Sequence, residues 1–232
     1  MAGMFLAVAI CMGASWSMTH VGISKKRQSS QHVKSRSIEL MKFIPVSRVR
    51  KLQQLDPDDT VRLYSYQGQE AYDHLMTKGY LAGDTTHLEA DDFFAEPYAW
   101  MREQMALRIE NFSGDYPVWA WLKRPSTKPK PKKYKGTDEK YRIIAKVPMK
   151  RLLINDYEQW HFPLNRGPIC PTEEEYDAFD GDIKATWPRI FDFDRPKTKK
   201  EIAWCGDPSK MILQVCADRI YENEIISVRI FD

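Results

Sequence analysis

The chain has 232 residues, 43% of them hydrophobic and 29% charged, with a formal net charge of +3. That is enough for one substantial core with some chain left over. Its four cysteines, Cys11, Cys170, Cys205 and Cys216, form no CxxC. So few cysteines in a chain this long do not suggest a disulfide framework, no paired-cysteine redox motif is present, and a reducing, cytoplasmic setting is the simplest reading.

The charge is unevenly spread. Residues 1–51 hold nine of the 35 Lys/Arg and one of the 32 acidic residues (Glu39), which leaves 26 basic against 31 acidic residues in the remainder. The body is therefore mildly acidic, which weighs against nucleic-acid binding by the folded part. The opening run MAGMFLAVAICMGASW falls short of the roughly 20 residues of a membrane span. As a signal peptide it lacks a basic start, and Met41 is an alternative start. SKKRQSSQHVKSRS has the composition of a disordered linker. Residues 1–57 are accordingly expected to be a basic arm, and residues 58–232 one domain.

VRLYSYQ reads as a strand, with Val61 and Leu63 on one face and Arg62 and Tyr64 on the other. GQEAYDHLMTKG reads as a helix in which Ala71, Tyr72, Leu75 and Met76 share a face, with Gly79 just past its end. A second helix is expected from Pro97 to Ile109, with Trp100, Met101 and Met105 in the core. YPVWAWLK reads as a strand carrying Trp119 and Trp121 on one face. Lys123–Gly136, with seven Lys/Arg and three Pro, reads as a solvated loop. KYRIIAKVP and MKRLLIN are further strands.

LLINDYEQWHFPLN, Leu152 to Asn165, reads as a strand that turns into a short helix. Asp156 caps it, with Gln159 completing a D-x-x-Q box. Tyr157, Trp160, His161 and Leu164 form its stripe, and Pro163 limits it. Thr172-Glu173-Glu174-Glu175 is a second capping box, whose helix should break near Gly181, and Pro188 should kink or end a helix over DIKATWPRIF. MILQVCADRI and EIISVRIF read as a hairpin joined at Tyr221-Glu222-Asn223. The fold class is α+β, a mostly antiparallel sheet with helices packed on it.

The specific chemical motifs are missing from the sequence. It contains no GxxxxGK[ST], no GxGxxG, no GxSxG and no HExxH, and its five histidines are scattered without zinc spacing. No metal site is expected. What remains is a set of isolated residues. Arg62 can hold a phosphate or carboxylate with its planar fork, beside Tyr64 and Gln67. Trp119 and Trp121 can form a stacking wall for a nucleobase or nicotinamide. His161 and Asp156 can act as acid and base if a pocket exists. Each has a plainer alternative in an ordinary strand face, core packing or a helix cap.

The blocks VRLYSYQGQEAYDHLMTKGYL, FFAEPYAWMREQMALRI, YPVWAWLK, VPMKRLLINDYEQWHFPLN, TWPRIFD and ILQVCADRIYENEIISVRIF, in that order, resemble a bacterial and phage family known as domain of unknown function 3841. The resemblance runs over about residues 60–232. Pro188 and the Pro/Lys-rich loop depart from the family's pattern. A looser likeness is one of fold: LYSYQ followed by a helix ending in KGYL is similar to the opening of ADP-ribosyltransferase-like domains. That likeness implies NAD as the ligand, with Arg62, Tyr64, Gln67, Trp119 and Trp121 around it and His161 or Asp156 near the reacting centre. Ser65 stands where those domains carry a histidine, and no residue matches their catalytic glutamate. The alternatives are a non-catalytic module for a protein or small ligand, and nucleic-acid contact through Lys123–Lys135 and the arm.

Overall fold

The computed structural model describes residues 51–52, 54–83, 93–122, 140–194, 198–207 and 211–231. Residues 1–50 and 53 of the expected arm over 1–57, and the loop at 123–136, lie outside them. Residues just before the first strand are tied to the sheet: Lys150 donates its backbone N–H to the Pro57 carbonyl, and Met149 to that of Asp59, each at 2.9 Å.

Strand β1 (Thr60–Gln67) buries Val61, Leu63 and Ser65 and leaves Arg62 exposed, as the alternation of its side chains dictates. Gly68 then leads into α1 (Gln69–Lys78), which ends where Gly79 takes a left-handed φ of 78° and donates its N–H to the Leu75 carbonyl. A side chain is disfavoured in that conformation, so the glycine stops the helix. Leu75 of α1 is buried, but Met76 is 58% exposed. The expected apolar face is thus narrower than its spacing implied. Strand β2 (Tyr80–Leu81) follows, and Gly83 then bridges Tyr116 so closely that a Cβ there would lie 2.4 Å from the Tyr116 carbonyl oxygen.

Helix α2 (Ala95–Arg108) carries Trp100, Met101 and Met105 into the core, and β3 (Val118–Trp121) comes next. Strands β4 (Tyr141–Pro148) and β5 (Leu152–Asp156) flank one turn of 3-10 helix, and α3 (Tyr157–Leu164) starts where β5 stops. Thr172 caps α4 (Glu173–Asp177), accepting the Glu175 N–H. Glu175 meets the Thr172 hydroxyl, at 3.5 Å, and the helix ends before Gly181. Helix α5 (Ile183–Thr186) tightens into 3-10 helix at Trp187–Phe191, where Pro188 has no N–H to continue the α pattern. Helix α6 (Lys199–Cys205) begins with a full capping box between Thr198 and Glu201. The chain then forms β6 (Leu213–Ala217), β7 (Ile220–Tyr221) and β8 (Ile225–Ile230).

Six strands form one antiparallel sheet in the order β5-β6-β3-β1-β4-β8, and β2 pairs with β7 in a small second ribbon. The last two long strands are not the expected hairpin. Strand β6 has both edges filled by β5 and β3, so the chain leaves through β7, pairs with β2, and reaches the far edge of the sheet as β8.

The sheet separates two cores. On one face Leu63, Ala120, Ile143 and Val215 pack with Leu75 of α1 and Ile220 of β7. On the other, Leu153, Cys216 and the half-buried Trp119 lie beneath Met101, Met105 and Trp160 of α2 and α3. Trp160 is fully buried, with its ring 5.5 Å from that of Trp119 and 6.1 Å from that of Tyr98. Large aromatic rings fill this layer, each burying far more apolar area than an aliphatic side chain.

Candidate functional site

The second face carries a row of side chains that crosses all six strands in register. Asn155 of β5 opposes Gln214 of β6, Gln214 opposes Trp121 of β3, and Trp121 opposes Tyr64 of β1. Tyr64 opposes Ile144 of β4, and Ile144 opposes Ser227 of β8. The described helices on this face pack over the β5-β6-β3 half. On the β1-β4-β8 half, Arg62, Lys146, Ser227 and Arg229 are exposed. Tyr64 and Trp121 therefore stand at the seam between the covered and the open halves.

Helix α3 closes the seam from one side. Tyr157, its first residue, donates its N–H to the Ile212 carbonyl at 2.9 Å and sets its ring 5.2 Å from that of Trp121, near edge-on. Trp121, Tyr157 and Ile212 form a small buried cluster, against which Tyr64 and Tyr66 pack. One turn further on, the ring of His161 meets that of Tyr157 edge-on, with centroids 4.7 Å apart. His161 Nδ1 lies 2.9 Å from the Tyr157 carbonyl oxygen. A carbonyl only accepts, so Nδ1 carries the hydrogen, and Nε2 is the ring nitrogen that takes up a second proton.

Asp156 is the N-cap of α3. Its Oδ1 accepts the N–H groups of Glu158 and Gln159 at 2.9 and 3.3 Å. Burial pushes its carboxyl up to about 7, against the pull of those two amides toward the anion. Glu158 is exposed overall, yet packing around its carboxyl raises its pKa, with the charge of His161 pulling the other way. Helix α3 thus brings Tyr157 to the aromatic seam and His161 beside it one turn later, with Asp156 holding the start of the helix.

The residues singled out from the sequence divide cleanly. Tyr64 and Trp121 come together with Tyr157, whose ring meets His161, and Arg62 is exposed two residues along β1 from Tyr64; Asp156, at the end of β5, opposes Leu213 of the first core and caps α3. Trp119 belongs to the core under α2 and α3, with its ring 5.9 Å from that of Tyr98. Gln67 is on the opposite face from Tyr64: it shares the odd-numbered side of β1 with Ser65 and donates to the Ser65 hydroxyl at 2.7 Å. Ser65 itself is buried and donates to the Trp119 carbonyl at 2.8 Å.

Three further residues were not anticipated. The sequence places Tyr157 only in a packing stripe, and it singles out neither member of the buried pair Asn155 and Gln214. Asn155 is fully buried and Gln214 is 1% exposed, and Asn155 Oδ1 has no hydrogen-bond partner among the described residues. Two facing polar residues inside an apolar strand pair, IND against ILQ, were the available signal.

Among the described residues, no group of three His, Cys, Asp or Glu side chains is arranged to hold a metal ion, and no helix is long and apolar enough to cross a membrane. No curated protein and no solved structure matches the chain. A family model described as "Domain of unknown function (DUF3841)" matches residues 62–186, which is more than half of the 232 residues and includes most of β1, all of β3, β5 and α3, and the whole of the seam except Gln214 and Ile212. The chain belongs to the DUF3841 family.

Proposed function

We propose that the chain binds a small ligand through a planar ring at the Tyr64–Trp121–Tyr157–His161 seam and moves a proton there, with Asp156 and His161 as the acid–base groups. The observation that carries this reading is the register of Tyr64 against Trp121, which stands beside Tyr157, itself in ring contact with His161. Tyr64 and His161 keep part of their surface open, while Trp121 and Tyr157 give the corner a buried floor. Stacking on such rings contributes on the order of 1–3 kcal/mol per ring. A carboxyl at about 7 and a histidine suit proton transfer near neutral pH.

NAD is the first dinucleotide to try, because the strand–helix opening is similar to that of ADP-ribosyltransferase-like domains. In that reaction the bond between ribose and nicotinamide breaks, an acceptor nucleophile forms the new bond to the ribose, and a base takes the acceptor's proton. Ser65 counts against it. Its hydroxyl is engaged by Trp119 and Gln67 on the face away from Tyr64. ADP-ribosyl transfer is therefore one outcome to test within the broader reading.

A second reading is a non-catalytic module for a protein or small ligand. It is favoured by the core position of Trp119, which removes one of the two tryptophans from the stacking wall. The test is a thermal-shift and calorimetric titration with NAD, AMP, adenosine and nicotinamide, with NAD consumption followed in parallel. Stabilisation by a ring compound that is lost in Tyr64→Ala and His161→Asn supports the site. Binding without turnover favours the module, and no response to any of the compounds sinks both. Nucleic-acid contact through Lys123–Lys135 and the basic arm would appear as binding that weakens steeply with salt.

A further inference from the structure

Among the described residues, the strands of the open half of the second sheet face carry cations and no carboxylate. Alternation and register put Arg62, Lys146, Arg142 and Arg229 on this side of β1, β4 and β8, with Tyr64, Tyr66, Ile144 and Ser227 between them. Three of the four cations are exposed, as surface charges ordinarily are. Arg142 is not: it is 6% exposed, and its Nε and Nη1 are buried and donate to no group among the described residues. It has no carboxylate partner among the described residues. Its one neighbour of note is the ring of Phe231, with the guanidinium carbon 5.6 Å from the centroid. The same ring faces Arg229 at 5.4 Å and stacks with Tyr66 at 6.3 Å. Tyr66 and Arg229 are also the cross-strand neighbours of Arg142 on its two sides.

A guanidinium is always charged, and a buried charge is normally paired. Here the neighbours are a second arginine, a tyrosine and the face of a phenylalanine. Each of the two flat edges of the guanidinium includes one of the unpartnered nitrogens, so either edge can present a fork to two oxygens of one group.

We propose that Arg142, with Arg229 beside it, is a binding site for the oxyanion of a ligand, a phosphate or a carboxylate. The site rests on Arg142 and not on the aromatic seam. Where both hold, they belong to one ligand: Arg142 lies two residues along β4 from Ile144, the partner of Tyr64. Two residues advance a strand by about 7 Å, the separation of a ring from an acidic group in a nucleotide-sized molecule.

The experiment titrates the full chain with inorganic phosphate, methyl phosphate and acetate at constant ionic strength, with adenosine as the uncharged ring. Tm and heat are the readouts, on the native chain and on Arg142→Met, Arg142→Lys and Tyr64→Ala. Phosphate or acetate is expected to raise the Tm of the native chain and of Tyr64→Ala alike, and a response to phosphates alone assigns the phosphate class. Arg142→Met should lose the response and be at least as stable as the native chain in ligand-free buffer, because it no longer buries an unpaired charge. If it does not fold, Arg142→Lys decides, with affinity expected to fall tenfold or more. No response of the native chain to any of the anions overturns the proposal. So does an undiminished response in the Arg142 variants. Loss of the adenosine response alone, with the anion response kept, would count against the seam and leave Arg142 standing.

Discussion

Tyr64 of β1 and Trp121 of β3 are cross-strand partners, and Trp121 meets Tyr157 at the head of α3 with ring centroids 5.2 Å apart. A strand pairing thus holds a half-open ring against a buried one, and a helix start supplies the third. Tyr64→Ala should weaken binding of a ring ligand about tenfold or more, in line with one lost stack. It should lower stability by no more than about 1 kcal/mol, because Tyr64 is only half-buried. Calorimetry for the first and urea unfolding for the second separate the two effects.

Asp156 gives a pH dependence of definite sign. Its carboxyl sits at about 7 in the folded chain, against an ordinary value of 3.8. The folded state therefore holds a proton that the unfolded state releases between these values. Stability is full below about 4, falls as pH rises to about 7, and is level above that. Asp156→Asn should flatten this part of the curve and keep the cap, since asparagine caps as well as aspartate. Urea midpoints taken from pH 4 to pH 8 check it. A parallel slope in the variant would mean that another group is responsible.

The sequence made the local parts of this site legible. Asp156 capping α3, Gly79 ending α1 and the alternation in VRLYSYQ all depend on residues within one turn or one strand. The non-local parts were hidden. EIISVRIF pairs with β4, and the short strand β7 pairs with β2, which no neighbouring residue announces. Trp119 and Trp121 do share a face, as alternation requires, but which helix covers each is set by the packing of α2 and α3. Gln67 does not accompany Tyr64, since by the same alternation an odd-numbered residue of β1 sides with Leu63. Nothing in the strand reading of KYRIIAKVP marks Arg142, whose burial depends on its cross-strand neighbours and Phe231.

Trp160 is the test of the second core. It is fully buried among Tyr98, Trp100 and Trp119, all within 6.5 Å ring to ring. Trp160→Ala should cost about 3–5 kcal/mol, read as a lower urea midpoint at an unchanged slope. A cost below about 1 kcal/mol would mean that this layer does not hold the helices to the sheet.

His161 serves the fold and the proposed chemistry with different nitrogens. Nδ1–H donates to the Tyr157 carbonyl, a bond that an asparagine amide can reproduce, whereas only the imidazole has Nε2. His161→Asn should therefore keep its unfolding midpoint within about 0.5 kcal/mol of the native chain and lose proton transfer at the seam. A large loss of stability would assign His161 to packing alone.

The most direct test of the seam is a nitrogen–hydrogen NMR titration of the full chain with NAD, AMP and adenosine, following the indole signal of Trp121 and the ring nitrogens of His161. Binding at the seam predicts that both move together with one affinity, while the indole of Trp187, which donates to the Gly167 carbonyl in the core at 3.0 Å, stays in place. Signals of Trp121 and His161 that remain fixed while the ligand binds elsewhere, or while no ligand binds at all, would contradict the account.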